Sequence, residues 1–235
     1  MFFAWHEVGI KWFINASNYT DFHKILAKKI NSYLRMEDKL CDVGCGLGRI
    51  DLELAPYVNE LTAVDINESV IKLIKRDAEV MKHDNLRAIC CDATSLSETF
   101  DVLLLSFYGM SNIINYLKLC RRRLIRIVKV SNSSNLYPQK FWHSSRSTAS
   151  TFQDDMLTKG IQFHVERTTI EFGQPLCSWQ DAEQYVLYNA PNATHKEIET
   201  FLNDKLIETG KEDFPFYLPN PKELAIIIIE VDNKL

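Results

Sequence analysis

Residues 40–55 (LCDVGCGLGRIDLELA) constrain the fold of this chain more than any other segment. The apolar residues up to Val43 predict a short buried strand, and Gly44, Gly46 and Gly48 predict a tight turn before a helical pattern. A glycine turn between a strand and a helix lets backbone N–H groups approach a ligand closely. The segment therefore predicts an α/β domain with a ligand-binding turn near its start.

Strand patterns and helix patterns alternate from this segment to the C-terminus. Seven segments are predicted as strands: residues 40–43, 61–65, 86–90, 100–106, 124–130, 161–172 and 223–231. Six helical patterns lie among them: residues 47–57, 68–82, 109–122, 150–159, 178–188 and 195–209. Parallel strands need crossover connections, which helices supply. The predicted fold class is therefore α/β, with a doubly wound and mostly parallel sheet.

The remaining segments complete the predicted organisation. Residues 1–38 precede the first strand and contain a helical pattern, so they predict an N-terminal helical cap before a main domain at 39–235. The polar stretch within 131–160 predicts a lid or late insertion. The helices within 178–209 are predicted to lie on the substrate side of this domain.

Composition excludes several classes of function. A net charge of −4 gives the chain no overall attraction to nucleic acid or to an acidic membrane, so neither is an expected partner. The six cysteines show no metal-ligand spacing, so we expect no metal and reduced thiols. The longest apolar run, AIIIIE, is too short to span a bilayer, and the N-terminus lacks a signal-peptide pattern. We expect a cytoplasmic protein with a small-molecule substrate.

The spacing of the glycines bears on which cofactor the turn binds. Dinucleotide-binding turns follow G-x-G-x-x-G, whereas this chain has G-x-G-x-G with Arg49 at the next position. Asp65, which ends the second predicted strand, is suited to a ribose in either case. Asp42, two residues before Gly44, would repel a pyrophosphate but attract a ligand that carries ammonium and sulfonium groups. This carboxylate favours S-adenosylmethionine over a dinucleotide.

Two further strand ends add to the predicted site. Asp92 and Ala93 follow the third strand, where a carboxylate can accept a hydrogen bond from an exocyclic amine and a backbone N–H can donate to a ring nitrogen. Ser106 ends the fourth strand. Because open parallel sheets bind ligands at the carboxyl ends of their strands, these positions are predicted to meet at one crevice.

Taken in order, the segments CDVGCGLG, AVDIN, CDA and FDVLLLSF make residues 39–108 resemble the Rossmann-like class I S-adenosylmethionine-dependent methyltransferases. The resemblance implies a seven-stranded sheet whose last strand is antiparallel, with S-adenosylmethionine as the cofactor. It implies that Asp42 lies near the amino group of the methionine moiety and that Asp65 binds the ribose hydroxyls. The other contacts that it implies come from Gly44, Cys45, Gly46, Ile66, Asp92, Ala93 and Ser106.

Some of these residues also have a structural interpretation. Asp65 and Asp92 each follow a strand and could cap the helix that comes next. Asp42 lies inside a strand, where it caps nothing. The three acids together therefore favour cofactor binding.

The N-terminal segment and the polar insertion supply further candidates. Tyr19 and His23 are one helical turn apart in the pattern YTDFHKIL, which predicts that they share a face. The segment from Trp12 to Leu34 is predicted to fold over the crevice, with Tyr19 as a cofactor contact and His23 as a catalytic candidate. His143, in the polar insertion, is the second catalytic candidate. A half-exposed histidine at a helix edge and a solvated loop explain both histidines without a function.

Four arginines form a basic cluster at Arg121, Arg122, Arg123 and Arg126. The helical pattern at 109–122 predicts that the cluster lies at the end of a helix, where positive charges stabilise the helix dipole. A phosphate or RNA site is the alternative, but no aromatic residues alternate with these arginines.

The predicted function is the transfer of a methyl group from S-adenosylmethionine to a small molecule by SN2 attack. The sulfonium is already activated, so positioning supplies much of the catalysis and no particular base is demanded. A non-catalytic S-adenosylmethionine-binding protein and an NAD-dependent oxidoreductase are the alternatives.

Overall fold

The computed structural model describes residues 5–109, 112–131, 134–141 and 148–231. The chain divides into two compact units. The sheet unit contains the described residues of His23–Val130, Ser147–Thr168 and Leu224–Leu235. The second unit contains those of Met1–Phe22, Ser131–Arg146 and Thr169–Glu223. The first boundary between the units follows Phe22, and the predicted cap at residues 1–38 stays a prediction.

A seven-stranded sheet organises the first of these units. In chain order its strands are β1 (Lys39–Val43), β2 (Glu60–Asp65), β3 (Leu86–Cys90), β4 (Phe100–Ser106), β5 (Cys120–Lys129), β6 (His164–Glu171) and β10 (Pro221–Glu230). Their order across the sheet is β3-β2-β1-β4-β5-β10-β6. The five neighbouring strands β3, β2, β1, β4 and β5 pair in parallel, and β10 runs antiparallel to β5. The predicted fold class is confirmed.

The helices of the sheet unit are α2 (Phe22–Asn31), α3 (Arg49–Leu54), α4 (Glu68–Met81), α5 (Ile113–Leu117) and α6 (Ala149–Thr158). Apolar strand residues, side chains of α5 and side chains of α6 form one buried core. The near-continuous apolar runs of β1, β4 and β10 reflect burial on both faces of the sheet. Polar residues stand at the carboxyl ends of two strands of the sheet: Asp65 ends β2 and Ser106 ends β4.

The second unit combines helices with a small antiparallel sheet. Its helices are α1 (Glu7–Thr20), α7 (Trp179–Asn189) and α8 (His195–Lys205), and its strands β7 (Gln174–Leu176), β8 (Ile207–Glu208) and β9 (Phe216–Leu218) pair in the order β7-β9-β8. Residues of α1, α7 and α8 form its core. The unit also encloses an aromatic cavity of about 110 Å³, lined in part by Trp5, Trp12, Phe13, Tyr185 and Tyr188.

Two local predictions are wrong. The helical pattern of the N-terminal segment breaks at Asp21, whose φ of 52° is left-handed, so Tyr19 lies in the last turn of α1 and His23 in the first turn of α2. The pattern at 109–122 gives only the short α5, and the strand that follows begins at Cys120. The basic cluster therefore lies on β5, where the register with β4 and β10 orders the chain as a strand.

No helix in the described part of the chain is long and apolar enough to cross a membrane. Within the same residues, no cluster of three or more His, Cys, Asp or Glu side chains is arranged to hold a metal ion.

Candidate active site

The glycine turn follows β1 directly and has the backbone geometry that the sequence predicts. Gly44, Gly46 and Gly48 have φ values of 74°, 55° and 63°, which residues with a Cβ rarely adopt. The backbone N–H groups of Gly44 and Cys45 both donate to the carbonyl of Val64, at 2.8 and 3.0 Å. These bonds hold the turn against the carboxyl end of β2.

Two of the glycines also allow close packing. A Cβ on Gly44 would lie 2.2 Å from Cδ2 of Tyr108, so the tyrosine ring rests directly on the turn. A Cβ on Gly48 would lie 2.6 Å from Cγ1 of Ile74, a residue of α4. The first glycine therefore opens the turn to a neighbouring ring, and the third permits packing of α4.

Asp65 connects the end of β2 to the glycine turn. Its Oδ2 accepts a hydrogen bond from the Gly46 N–H at 3.0 Å, and its Oδ1 accepts one from the Asn67 N–H at 2.9 Å. Asn67, not Asp65, caps α4 by accepting from the Ser69 N–H. Each carboxylate oxygen has a second lone pair, so Asp65 retains acceptor capacity for hydroxyl groups.

Asp42 is completely buried and faces a second acid that the sequence analysis missed. Asp42 and Asp51 are both fully buried, and one carboxyl can donate to the other when protonated. The further hydrogen bonds to these carboxyls come from the backbone, from Ser106 at Asp42 and from Asp51 itself at Asp51. Desolvation and then the charge of Asp51 raise the pKa of Asp42 well above its ordinary value. Burial likewise raises the pKa of Asp51, to about 7.

Cys45 sits within the turn beside these acids. Desolvation, followed by the negative charges of Asp51, Asp42 and Asp65, raises the pKa of its thiol well above the ordinary value. The Cys45 side chain is therefore a neutral thiol. The turn itself carries no charge, although carboxyls lie close to it.

The residues beyond β2 and β3 lie at the same edge of the sheet. Ile66 is 44% exposed, which leaves an apolar surface next to Asp65. Asp92 caps the short 3₁₀ helix Ala93–Ser95, because its Oδ1 accepts from the Thr94 N–H and hydroxyl. These hydrogen bonds lower the pKa of Asp92. Asp92 therefore has the capping role that the sequence analysis left open. The next residue, Ala93, is buried.

The carboxyl end of β4 is strained and aromatic. Ser106 is half-buried, and Phe107 has a φ of 52°, an unusual value for a bulky residue. This backbone turn precedes Tyr108, whose hydroxyl lies 3.1 Å from that of Tyr116 in α5. Burial and then the hydrogen bond to Tyr108 raise the pKa of Tyr116 above its ordinary value. Tyr116 was missed from the sequence, whereas Tyr108 belongs to the SFYG end of the fourth strand, which was predicted to lie beside the crevice.

Three further site residues were predicted from the sequence. Tyr19 belongs to the second unit, where its ring stacks on Tyr217 at 5.0 Å and lies 4.1 Å from the ammonium of Lys211. His23 is half-buried at the start of α2. His143 lies outside the described residues.

A family model of the methyltransferase domain matches residues 34–190, well over half of the chain. The chain belongs to this family. It is a class I methyltransferase with a Rossmann-like sheet, and S-adenosylmethionine is its methyl donor. The predicted family, enzyme class and cofactor are confirmed.

One curated relative aligns with part of this methyltransferase. The ribosomal protein L11 methyltransferase of Acetivibrio thermocellus is 35% identical over 65 residues, which are 27% of this chain and 21% of that protein. The alignment thus spans about a fifth of the relative's length.

Solved structures share the fold at low sequence identity. The YcgJ protein of Bacillus subtilis superposes with a TM-score of 0.56 at 15% identity, over 89% of this chain and 97% of that one. The precorrin-6y C5,15-methyltransferase of Geobacter metallireducens gives 0.50 at 9%, over 88% and 87%. A protein proposed to be an RNA methyltransferase, from Pyrococcus horikoshii, gives 0.51 at 11%, over 89% and 83%. The fold is therefore common to methyltransferases named for different acceptors.

Proposed function

We propose that this methyltransferase acts on a small-molecule acceptor and that its glycine turn holds the donor. The carrying observation is that Gly44 and Gly46 have positive φ values beside two fully buried acids, Asp42 and Asp51. A turn of this kind can follow a ligand closely, and carboxyls favour ammonium and sulfonium groups. Bound S-adenosylmethionine supplies a methyl group that is already activated for attack.

The residues proposed to contact the donor keep the roles that the family resemblance implies. Asp42 would face the methionine ammonium, Asp65 the ribose hydroxyls and Asp92 the adenine edge. The exposed side chain of Ile66 suits contact with an aromatic base. The full proposed set is Asp42, Gly44, Cys45, Gly46, Asp65, Ile66, Asp92, Ala93, Ser106 and Tyr19, with His23 and His143 as catalytic candidates.

The state of the basic cluster supports a small acceptor over RNA. Arg121 pairs with Asp101, Arg122 with Asp38 and Arg123 with Glu230. Each of these charges is therefore neutralised within the sheet unit and adds little attraction for phosphates. The net charge of −4 adds no overall attraction for a nucleic acid.

Catalysis in this proposal rests on placement. The acceptor would approach over the ends of β4 and β5, where the Tyr108 ring lies against the glycine turn. Fixing the nucleophile in line with the methyl group removes much of the entropic barrier. An attacking hydroxyl would also have to lose its proton to a base.

Calorimetry with S-adenosylhomocysteine, followed by labelled-methyl transfer to pools of small molecules, bulk RNA and ribosomal protein, tests the proposal. We expect saturable binding of S-adenosylhomocysteine, no binding of NADH, and label only in the small-molecule pools. Label in RNA or protein would replace the proposed acceptor class while keeping the donor site. An absence of S-adenosylhomocysteine binding would overturn the donor site itself.

A further inference from the structure

Arg126 differs from the other arginines of β5 because its charge is buried without a counter-ion among the described residues. It is 2% exposed, and neither Nε nor Nη1 has a hydrogen-bond partner. The guanidinium lies over the Phe152 ring of α6, and the distance from Cζ to the ring centroid is 4.5 Å. Burial lowers the pKa of Arg126 to about 10, which leaves it charged at neutral pH.

A buried and unpaired guanidinium is costly, since desolvation of an ion requires several kcal/mol unless an anion or hydrogen bonds compensate. Arginine presents a planar set of donors that matches a carboxylate in two parallel hydrogen bonds. Nε and Nη1 of Arg126 lie on different edges of the guanidinium, and each leaves a donor for an oxyanion that the described residues do not provide.

The position of Arg126 relates this site to the glycine turn. It pairs in register with Leu105, the residue before Ser106, and with Ile227. Since β5 is two strands from β1, the arginine lies on the order of 10 Å from the turn across the sheet. Asp65 and Asp92 follow β2 and β3, on the opposite side of β1. A ligand at Arg126 would thus lie beyond the methionine end of a donor whose ribose faces Asp65.

Two tyrosines lie between the turn and the arginine. The Tyr108 ring touches the turn at Gly44, its hydroxyl meets that of Tyr116, and Arg126 in turn interacts electrostatically with Tyr116. One of the two hydroxyls donates to the other, so the pair leaves one O–H that can donate to an oxyanion at the guanidinium.

We propose that Arg126, with Tyr108 and Tyr116, forms a subsite for a carboxylate of the methyl acceptor. This inference rests on the proposed function and narrows its acceptor to carboxylate-bearing small molecules. A carboxylate held at β5 would leave the rest of the acceptor directed toward the glycine turn, where the methyl group is transferred.

The test titrates the S-adenosylhomocysteine-loaded full chain with sodium formate and sodium benzoate, using benzamide as the neutral analogue of benzoate. We expect saturable binding of at least one carboxylate and at least tenfold weaker binding of benzamide. The Arg126→Gln variant should bind the carboxylate at least tenfold more weakly, while its affinity for S-adenosylhomocysteine changes less than twofold. Arg121→Gln, on the exposed part of the same strand, should leave both affinities unchanged.

The Arg126→Met variant checks the burial argument independently. Because it removes an unpaired charge and keeps an apolar stem, its melting temperature without ligand should equal or exceed that of the natural chain. A lower melting temperature together with intact carboxylate binding would show that Arg126 is structural and overturn the proposal.

Two other outcomes also overturn it. One is that neither carboxylate binds the loaded protein. The other is that Arg126→Gln weakens S-adenosylhomocysteine but not 5′-methylthioadenosine, which lacks the carboxylate, because the arginine would then hold the donor. If the natural chain binds no S-adenosylhomocysteine at all, the proposed function fails first, and the two failures are distinguished.

Discussion

At the scale of single residues, Asp65 illustrates how one side chain can order a binding turn and still serve a ligand. Its two oxygens accept from the N–H groups of Gly46 and Asn67, which hold the turn and the start of α4 together. The remaining lone pairs of the same oxygens can accept from hydroxyl groups.

Asp65→Ala should weaken S-adenosylhomocysteine binding by on the order of 1.5–3 kcal/mol, the scale of hydrogen bonds to a charged group. Asp65→Asn keeps the shape and one acceptor oxygen, so it should fall between Ala and the natural residue. Calorimetry measures both affinities. Unchanged affinity with a collapsed melting temperature would show that Asp65 is only a structural support.

Gly44→Ala should reduce the affinity for S-adenosylhomocysteine at least tenfold, because the new Cβ meets the Tyr108 ring in a backbone conformation that excludes it. Gly160→Ala is a matched control: Gly160 has a similar φ of 66°, but a Cβ there meets nothing within 4 Å. Both variants bear the backbone strain, so a difference in affinity isolates the contact at the turn. Equal affinities for the two variants would contradict the role of Gly44.

At the scale of elements, β5 has consecutive arginines directly after its first residue, and its first residues were assigned to the helical pattern at 109–122, whereas residues 124–130 were predicted as a strand. Arg121, Arg122 and Arg123 of this strand pair with acids from other segments of the sheet unit, and the pairs differ in exposure. The side chains of Arg122 and Asp38 are 19% and 3% exposed, whereas those of Arg121 and Asp101 are 55% and 30% exposed.

Arg122→Ala should therefore lower the free energy of unfolding by about 3 kcal/mol, since it leaves the buried Asp38 carboxylate unpaired. Arg121→Ala removes an exposed pair on the same strand, so it should lower the free energy of unfolding by no more than about 0.5 kcal/mol. Urea unfolding measures both values. Equal effects of the two substitutions would show that burial of Asp38 does not govern the stability of this edge.

At the scale of the whole molecule, the Asp42–Asp51 pair should make stability depend on pH. The folded chain holds the shared proton more tightly than the unfolded chain, since burial raises the pKa of both acids. The stabilisation is present in full below the ordinary carboxyl pKa of about 4 and is lost as the pH rises through about 7.

Asp51→Asn should change this profile, because its amide can donate to the Asp42 carboxylate at any pH. We expect a variant as stable as the natural chain at low pH and more stable at high pH, by on the order of 1–3 kcal/mol. Thermal unfolding across the pH range measures the difference. A difference that does not vary with pH would show that the two carboxyls do not share a proton.

The sequence alone determined the sheet and the turn, because both depend on local patterns. Apolar runs bounded by turn residues predict strands, and β1 to β4 lie within a residue of the predicted bounds. Positive φ is a property of glycine itself, and Asp65 was placed at a strand end by counting along the chain. These features need no knowledge of what packs against them.

Only the tertiary structure decided which residues meet and which charges are compensated. Asp51 lies on α3, and its approach to Asp42 depends on how that helix packs on the sheet. In sequence, nothing distinguishes Arg126 from the neighbouring arginines. In the structure, pairing of β5 with β4 and β10 buries Arg126, whereas the neighbouring arginines form ion pairs with acids. Burial and pairing arise from contacts between distant segments, and the local pattern carries no record of them.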